Sequence, residues 1–515
     1  MSLTKLPICV FLLLFVLSCN KKEKSLLMWE ASFPVIGSQS SLRSADLNGD
    51  GILDFVIGAG KNEFEYTASG ILAINGLDGE LLWTQETEDQ VFGSATFLDV
   101  NKDGIPDVFI GGRGPHLKAI DGLSGNLIWE FDTLDHLNHP VLQYARFNFN
   151  NSVTIPDQNG DGIGELLTSN GGNARIAPNQ TEGRYPGILM VINPVNGKVL
   201  AADTMPDTGE TYLSPLFVHQ EETSTQQVLF GSGGETLPGS LYLAALSDLM
   251  ENDLSKSKAL VSEKGHGFIA SPVIVDLNGD GFLDFVGISH ASTVTAICGK
   301  SLEKLWQLQL PETECSNSFA VGQFTEDDIP DLFTFVSKGV WPENRGLVQV
   351  LIDGNSGQIL SQKELGCTGF SSPIAYDFNN DEMDEVIFSI NEYDCSRAID
   401  DQSAFLIENK LMLMDFKADT TYILDQAKGF KNVFSTPWLG DLDSDGYLDL
   451  VHCQYFSHSD ILSFLGMKIK RIDLPIKVRG KPLWGAFMGS DGNGVYIKSK
   501  RLPKGSLLQN TKLIK

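Results

Sequence analysis

Cysteine is scarce in this chain: seven among 515 residues, at positions 9, 19, 298, 315, 367, 395 and 453, and never in a C-x-x-C spacing. That excludes a disulfide-built scaffold and leaves zinc and thioredoxin-like chemistry without ligands. Positive charge is short as well. Lys+Arg number 38 against 66 Asp+Glu, a formal net charge of −28, and no basic cluster interrupts the body. Such a chain is repelled by nucleic acid and by anionic lipid, so no nucleic-acid partner is expected. The sequence holds no G-x-S-x-G, H-E-x-x-H, Walker A or dinucleotide-type glycine pattern, which removes the chemistries those motifs carry. Its eight histidines are scattered, and His136 and His139 have no third ligand nearby. The most prominent apolar run, Leu6 to Leu17, is too short for a comfortable permanent span.

What is present reads as an address followed by a repeat array. Lys5, the apolar run and the small Ser18 describe a secretory signal. Val16-Leu17-Ser18-Cys19 resembles a bacterial lipobox, with Val where Leu is usual. The resemblance implies a signal peptide over residues 1–18, a lipid on Cys19, and a polar tether over residues 19–25. The expected location is the bacterial cell envelope, lipid-anchored at the outer membrane, on its periplasmic side or at the cell surface. Removing residues 1–18 takes away a single charge, Lys5, and leaves −29.

A nine-residue segment organises residues 26–515. It reads DLNGDGILD at 46–54, DVNKDGIPD at 99–107, DQNGDGIGE at 157–165, DLNGDGFLD at 276–284, DFNNDEMDE at 377–385 and DLDSDGYLD at 441–449. A seventh copy, QFTEDDIPD at 323–331, keeps only Asp327 and Asp331 at the carboxylate positions, and the place near 219–227 has lost the motif. Successive positions lie 47 to 64 residues apart. Each is flanked by alternating apolar stretches, followed by a third such stretch, a glycine turn and a strand that often bears Trp, as in Leu81-Leu82-Trp83. The pattern predicts an all-β chain: a single β-propeller of eight blades, each of four antiparallel strands. Length alone is compatible with seven to nine. A hairpin over Trp484–Met488 and Val495–Lys498 is the candidate start of a ninth. Leu27-Met28-Trp29-Glu30 looks like a fourth strand without a blade, so it is expected to complete the last blade and close the ring.

The D-x-[DN]-x-D-G-x-x-D segment between strands resembles the FG-GAP (integrin α-type) repeat, and Ala119 to Trp129 (AIDGLSGNLIW) resembles the repeats of quinoprotein-like propellers. Both resemblances imply a propeller. They disagree on chemistry.

The loop chemistry itself points to calcium. Alternating side chains at positions one, three and five, the carbonyl at seven and the carboxylate at nine make an oxygen-only shell, which suits Ca²⁺ over softer metals. The expected ligands are Asp46, Asn48, Asp50, Ile52 and Asp54; Asp99, Asn101, Asp103, Ile105 and Asp107; Asp157, Asn159, Asp161, Ile163 and Glu165. The other three sets are Asp276, Asn278, Asp280, Phe282 and Asp284; Asp377, Asn379, Asp381, Met383 and Glu385; Asp441, Asp443, Asp445, Tyr447 and Asp449. Flanking strands, and the absence of Glu at position twelve, exclude an EF-hand. About six structural ions would bring the net charge from −29 to about −17.

Function is expected on the opposite face, where the loops between second and third strands and between blades open. These loops carry Arg146, Arg175, Arg184, Tyr185, Trp341, Arg345, Tyr393 and Arg397, whereas the Gly111-Gly112-Arg113-Gly114 stretch reads as a plain connection. The favoured reading is a noncatalytic scaffold for a protein or glycan ligand. The alternatives are a polysaccharide lyase, as the rhamnogalacturonan lyases resemble it in outline, and a quinoprotein-like dehydrogenase with a cofactor at the ring axis. Finally, Cys367 and Cys395 lie symmetrically about Asp381, the centre of a loop. A hairpin with that symmetry would place them opposite each other, and an exported protein can keep the disulfide.

Overall fold

The computed structural model describes residues 26–498 except 178, 179, 341, 342 and 459. Cys19 and its lipobox, the tether and Trp341 therefore lie outside the described residues. Eight sheets stand in a ring, each built on four antiparallel strands and numbered as blades 1 to 8 in chain order from the one that begins at Arg43–Ala45. The fold is an eight-bladed β-propeller. Blade 5 shows the plan: Val273–Val275 nearest the axis, then Asp284–Ile288, Thr293–Ile297 and the outer Lys304–Gln309. The three inner strands bury every residue, while the outer one alternates. That gradient is the physical reason the sequence shows near-continuous apolar runs for the inner strands and a period of two for the outer ones.

Each nine-residue segment joins the first strand of a blade to its second. In blade 4, where the segment is missing, Leu216–Gln220 meets Thr225–Gly231 through a four-residue turn. The N-terminal strand Leu27–Pro34 pairs antiparallel with Gly466–Lys477 and is the outer strand of blade 8, so the two ends of the array share one sheet. No helix among the described residues is long and apolar enough to cross a membrane.

Two features tie blade to blade. Outer-strand tryptophans reach into the next blade: Trp29 Nε1 donates to Gly76 O (2.8 Å), Trp83 to Gly122 O (2.7 Å), Trp129 to Pro194 O (2.6 Å) and Trp306 to Gly354 O (2.8 Å). The turn that receives Trp83 must be glycine. A Cβ on Gly125 would stand 2.5 Å from the indole, and the residue adopts φ +71°. Nearer the axis runs a belt of hydroxyls. Ser41 N donates to Ser94 Oγ, Asn151 N to Ser214 Oγ, Ser318 N to Ser372 Oγ, Ser372 N to Thr436 Oγ1 and Thr436 N to Ser41 Oγ, all at 3.0–3.2 Å.

The C-terminal segment is not a ninth blade. It threads back through the axis: Gly485 O accepts from Leu439 N of blade 8, Trp484 O from Ala375 N of blade 7, and Trp484 Nε1 donates to Phe319 O beside blade 6. Val495–Tyr496 then pairs parallel with Val273–Val275 of blade 5. Trp484, Met488 and Tyr496 are buried there. A lone hairpin would leave that apolar surface in water, and the axis offers it eight inner strands instead.

Cys367 and Cys395 are joined in a disulfide, Cα–Cα 5.2 Å. The hairpin around it is one residue off the symmetric register, since Tyr376 faces Glu385. The acidic loop is asymmetric, so its centre is not the centre of pairing. Among the described residues Cys298, Cys315 and Cys453 are free and buried.

Candidate functional site

The acidic loops fold into one repeated hydrogen-bond net. In the first, Asp46 accepts from Gly49 N (2.7 Å) and Gly51 N (2.9 Å), Asn48 from Asp50 N (2.9 Å) and Asp50 from Ile52 N (2.8 Å). The same bonds recur in the loops beginning at Asp99, Asp157 and Asp276. Gly51 sits at φ +85°, where a side chain would be strained. In the loop at Asp377, Glu382 takes that place at φ +73°.

The ninth position behaves differently. Asp54 is fully buried, with Oδ2 accepting from Leu47 N and Oδ1 from Gly76 N, both at 3.0 Å. Asp107 and Asp284 are held in the same way. Burial pushes Asp54 and Asp284 up to about 6 against the pull of those amides, and Glu385 up to about 8. Among the described residues, three carboxylates come within 4.8 Å of one another in one loop, at Asp441, Asp443 and Asp449. There the buried Arg471 draws two of them together.

These oxygen-only loops fit a hard cation. Each carboxylate oxygen that takes one amide still has a lone pair for an ion.

The opposite face opens as a funnel on the axis, about 520 Å³, with Phe487 of the returning C-terminal segment at its floor. Three belt residues, Asn151, Ser214 and Ser318, line it, and Ser271 beside them accepts from Ser318 Oγ through its carbonyl. Its arginines are already paired. Arg113 Nε meets Glu63 Oε1 at 2.6 Å, with the guanidinium 4.1 Å from the Phe92 ring centroid. Arg184 forms a buried pair with Glu210, and Tyr212 OH donates to the same carboxylate at 3.2 Å. Burial, reinforced by Glu210, drives the Tyr212 hydroxyl far above its usual range.

Of the loop residues singled out from sequence, Arg184 lines the funnel; Arg146, Arg175, Tyr185, Arg345, Tyr393 and Arg397 do not. Arg175 stacks over Phe64 at 3.9 Å, Arg146 lies 5.7 Å from the Tyr185 ring, and Arg397 donates to Asp401 O. Arg113, read from sequence as part of a plain connection, is a wall of the funnel. The belt was missed as well. Its signal is a hydroxyl five residues before the first loop position, at Ser41, Ser94, Ser271, Ser318, Ser372 and Thr436.

No protein-family model matches the chain, and no curated protein matches it. Solved structures do. The quinohemoprotein alcohol dehydrogenase ADHIIG from Pseudomonas putida HK5 is similar at a TM-score of 0.53 and 11% identity, over 87% of this chain and 76% of that one. The quinohemoprotein alcohol dehydrogenase from Comamonas testosteroni is similar at 0.50 and 10% identity, over 93% and 79%. BamB from Moraxella catarrhalis is similar at 0.46 and 10%, over 85% and 96%. At such identity the first two show a shared quinoprotein-like propeller fold and nothing of the chemistry done on it.

Proposed function

We propose that this chain is a noncatalytic binding module of the bacterial cell envelope, held by a lipid on Cys19 and stiffened by calcium in its FG-GAP-like loops. Its ligand is a protein or glycan segment that enters the axial funnel. One observation carries the reading. The polar side chains Asn150, Asn151, Ser214 and Ser318 on the funnel wall are uncharged and stand beside the rings of Phe434 and Phe487, while its arginines are locked to Glu63 and Glu210. Apolar walls with a few converging polar groups suit an uncharged ligand rich in hydroxyls or amides. A lyase acting on acidic polysaccharide would instead want free positive charge there.

Calcium bound at the loops would supply the positive charge that the clustered carboxylates lack. The first-, third- and fifth-position side chains, the seventh carbonyl and the ninth carboxylate would hold it, fixing the first hairpin of a blade.

A glycan array and a surface-protein screen with the full chain test the binding reading. A neutral glycan or protein hit that Phe487→Ala weakens at least tenfold, at unchanged melting temperature, is the expected result. Unsaturated products released from an acidic polysaccharide would overturn the noncatalytic reading.

A further inference from the structure

We propose that Arg471 stands in for calcium in blade 8 and Gln323 in blade 6, so that the propeller takes five ions in its seven acidic loops. This rests on the calcium reading above. In the loops beginning at Asp46, Asp99, Asp157, Asp276 and Asp377, the third-position Asn accepts the amide of the fifth residue. Blade 8 departs from that net. Asp443 Oδ2 takes Arg471 Nη2 at 2.5 Å, and Asp449 Oδ1 takes Nε at 2.8 Å. Arg471 Nη1 also donates to Gly76 O of blade 1 at 3.2 Å. The guanidinium is 2% exposed and does not deprotonate in proteins. A calcium ion on the same carboxylates would face a fixed positive charge.

The position is particular to this blade. Arg471 lies across from Val451. The residues at that register in the other acidic blades are Ala73, Ala119, Val191, Ala296, Leu351 and Leu413. None of them carries a charge.

Blade 6 reaches the same end with a neutral donor. Gln323 stands where the first Asp would be. Its Nε2 points into the loop and donates to the carbonyls of Thr325 (3.3 Å), Asp327 and Ile329 (3.3 Å). Ile329 is the seventh position, whose carbonyl would otherwise face the ion. Gln323 Oε1 in turn accepts from Lys498 Nζ at 2.6 Å. The side-chain nitrogen fills the mouth of the loop.

The test is a count. The full chain is stripped with chelator, equilibrated with calcium and measured for bound metal per chain. Five are expected. Arg471→Ala should bind a sixth, because Asp441 Oδ1 and Asp443 Oδ1 have no hydrogen-bond partner and lose their nearby cation. Arg471→Lys should stay at five. Six ions in the wild type, or no gain in a folded Arg471→Ala, overturns the proposal. No bound calcium at all overturns the calcium reading itself, which separates the two failures. If Arg471→Ala does not fold, the wild-type count still decides.

Discussion

Trp83 shows how much one side chain does for the ring: it buries its face against Gly125 of the next blade and gives its indole proton to Gly122. Trp83→Ala should cost about 3–5 kcal/mol. Trp83→Phe keeps most of the packing but leaves a buried carbonyl unpaired, at about 1–3 kcal/mol. Denaturant melts of the two variants separate packing from hydrogen bonding. Glu382 makes the opposite case. It holds φ +73° where the other intact loops have glycine, so Glu382→Gly should stabilise the fold by about 1 kcal/mol. A third residue gives the protein an acid limit. Burial alone would raise Asp425, yet its contacts with His452 (3.2 Å) and Lys470 (2.7 Å) hold it down to about 2. An acid depressed in the folded state stabilises it above its unfolded value near 4 and loses that contribution as pH falls through the folded one. Asp425→Asn should therefore be destabilised by about 2 kcal/mol at pH 7, with the gap to wild type closing between about pH 5 and 2. Melts across that range check it.

At the scale of elements, the acidic loops and the disulfide-bound loop make separate predictions. Excess chelator should lower the melting temperature, since at a hundredfold excess over Kd each ion contributes about 2.7 kcal/mol. An unchanged transition would mean that the loops hold themselves. The Cys367–Cys395 bond closes a 28-residue segment, worth about 3 kcal/mol in the chain-entropy view. Reduction should lower stability by that order and speed proteolysis between residues 393 and 407. The blades were legible in sequence because their information is local: carboxylates at alternate positions, glycine at the turn, apolar runs on either side. The ring-closing strand was legible for a related reason, as Trp29 repeats the pattern of Trp83 and Trp306. What the sequence hid depends on distant partners. Arg113 meets Glu63 fifty residues away, and Arg471 meets Asp449 on the neighbouring strand. The hydroxyl belt hid in plain view, since serine is common and its meaning lies in contacts between blades. Trp484 read as the start of a hairpin because nothing nearby in sequence marks the axis it fills.

For the whole molecule, closure is shared between two ends of the chain. Leu27–Pro34 completes blade 8, and residues 484–496 bind inner strands of blades 5, 7 and 8 from within. Deleting residues 484–515 should strip the funnel of its floor and destabilise blades 5 to 8 together, seen as faster amide exchange in Val273–Val275, Ile374–Tyr376 and Trp438–Gly440. Deleting residues 26–34 should instead expose the edge at Gly466–Lys477 and promote association through it. The closing strand also has a direction. Leu27 pairs with Ile472 near the acidic loop of blade 8, and Pro34 pairs with Gly466 at the far rim. The strand therefore begins at the acidic-loop face. The lipid proposed on Cys19 would turn that face toward the bilayer and the funnel away from it. An anchor there would work as an orienting mount: the protein would stand on its acidic loops, and every pull on a ligand held in the funnel would run to the membrane through one eight-residue strand.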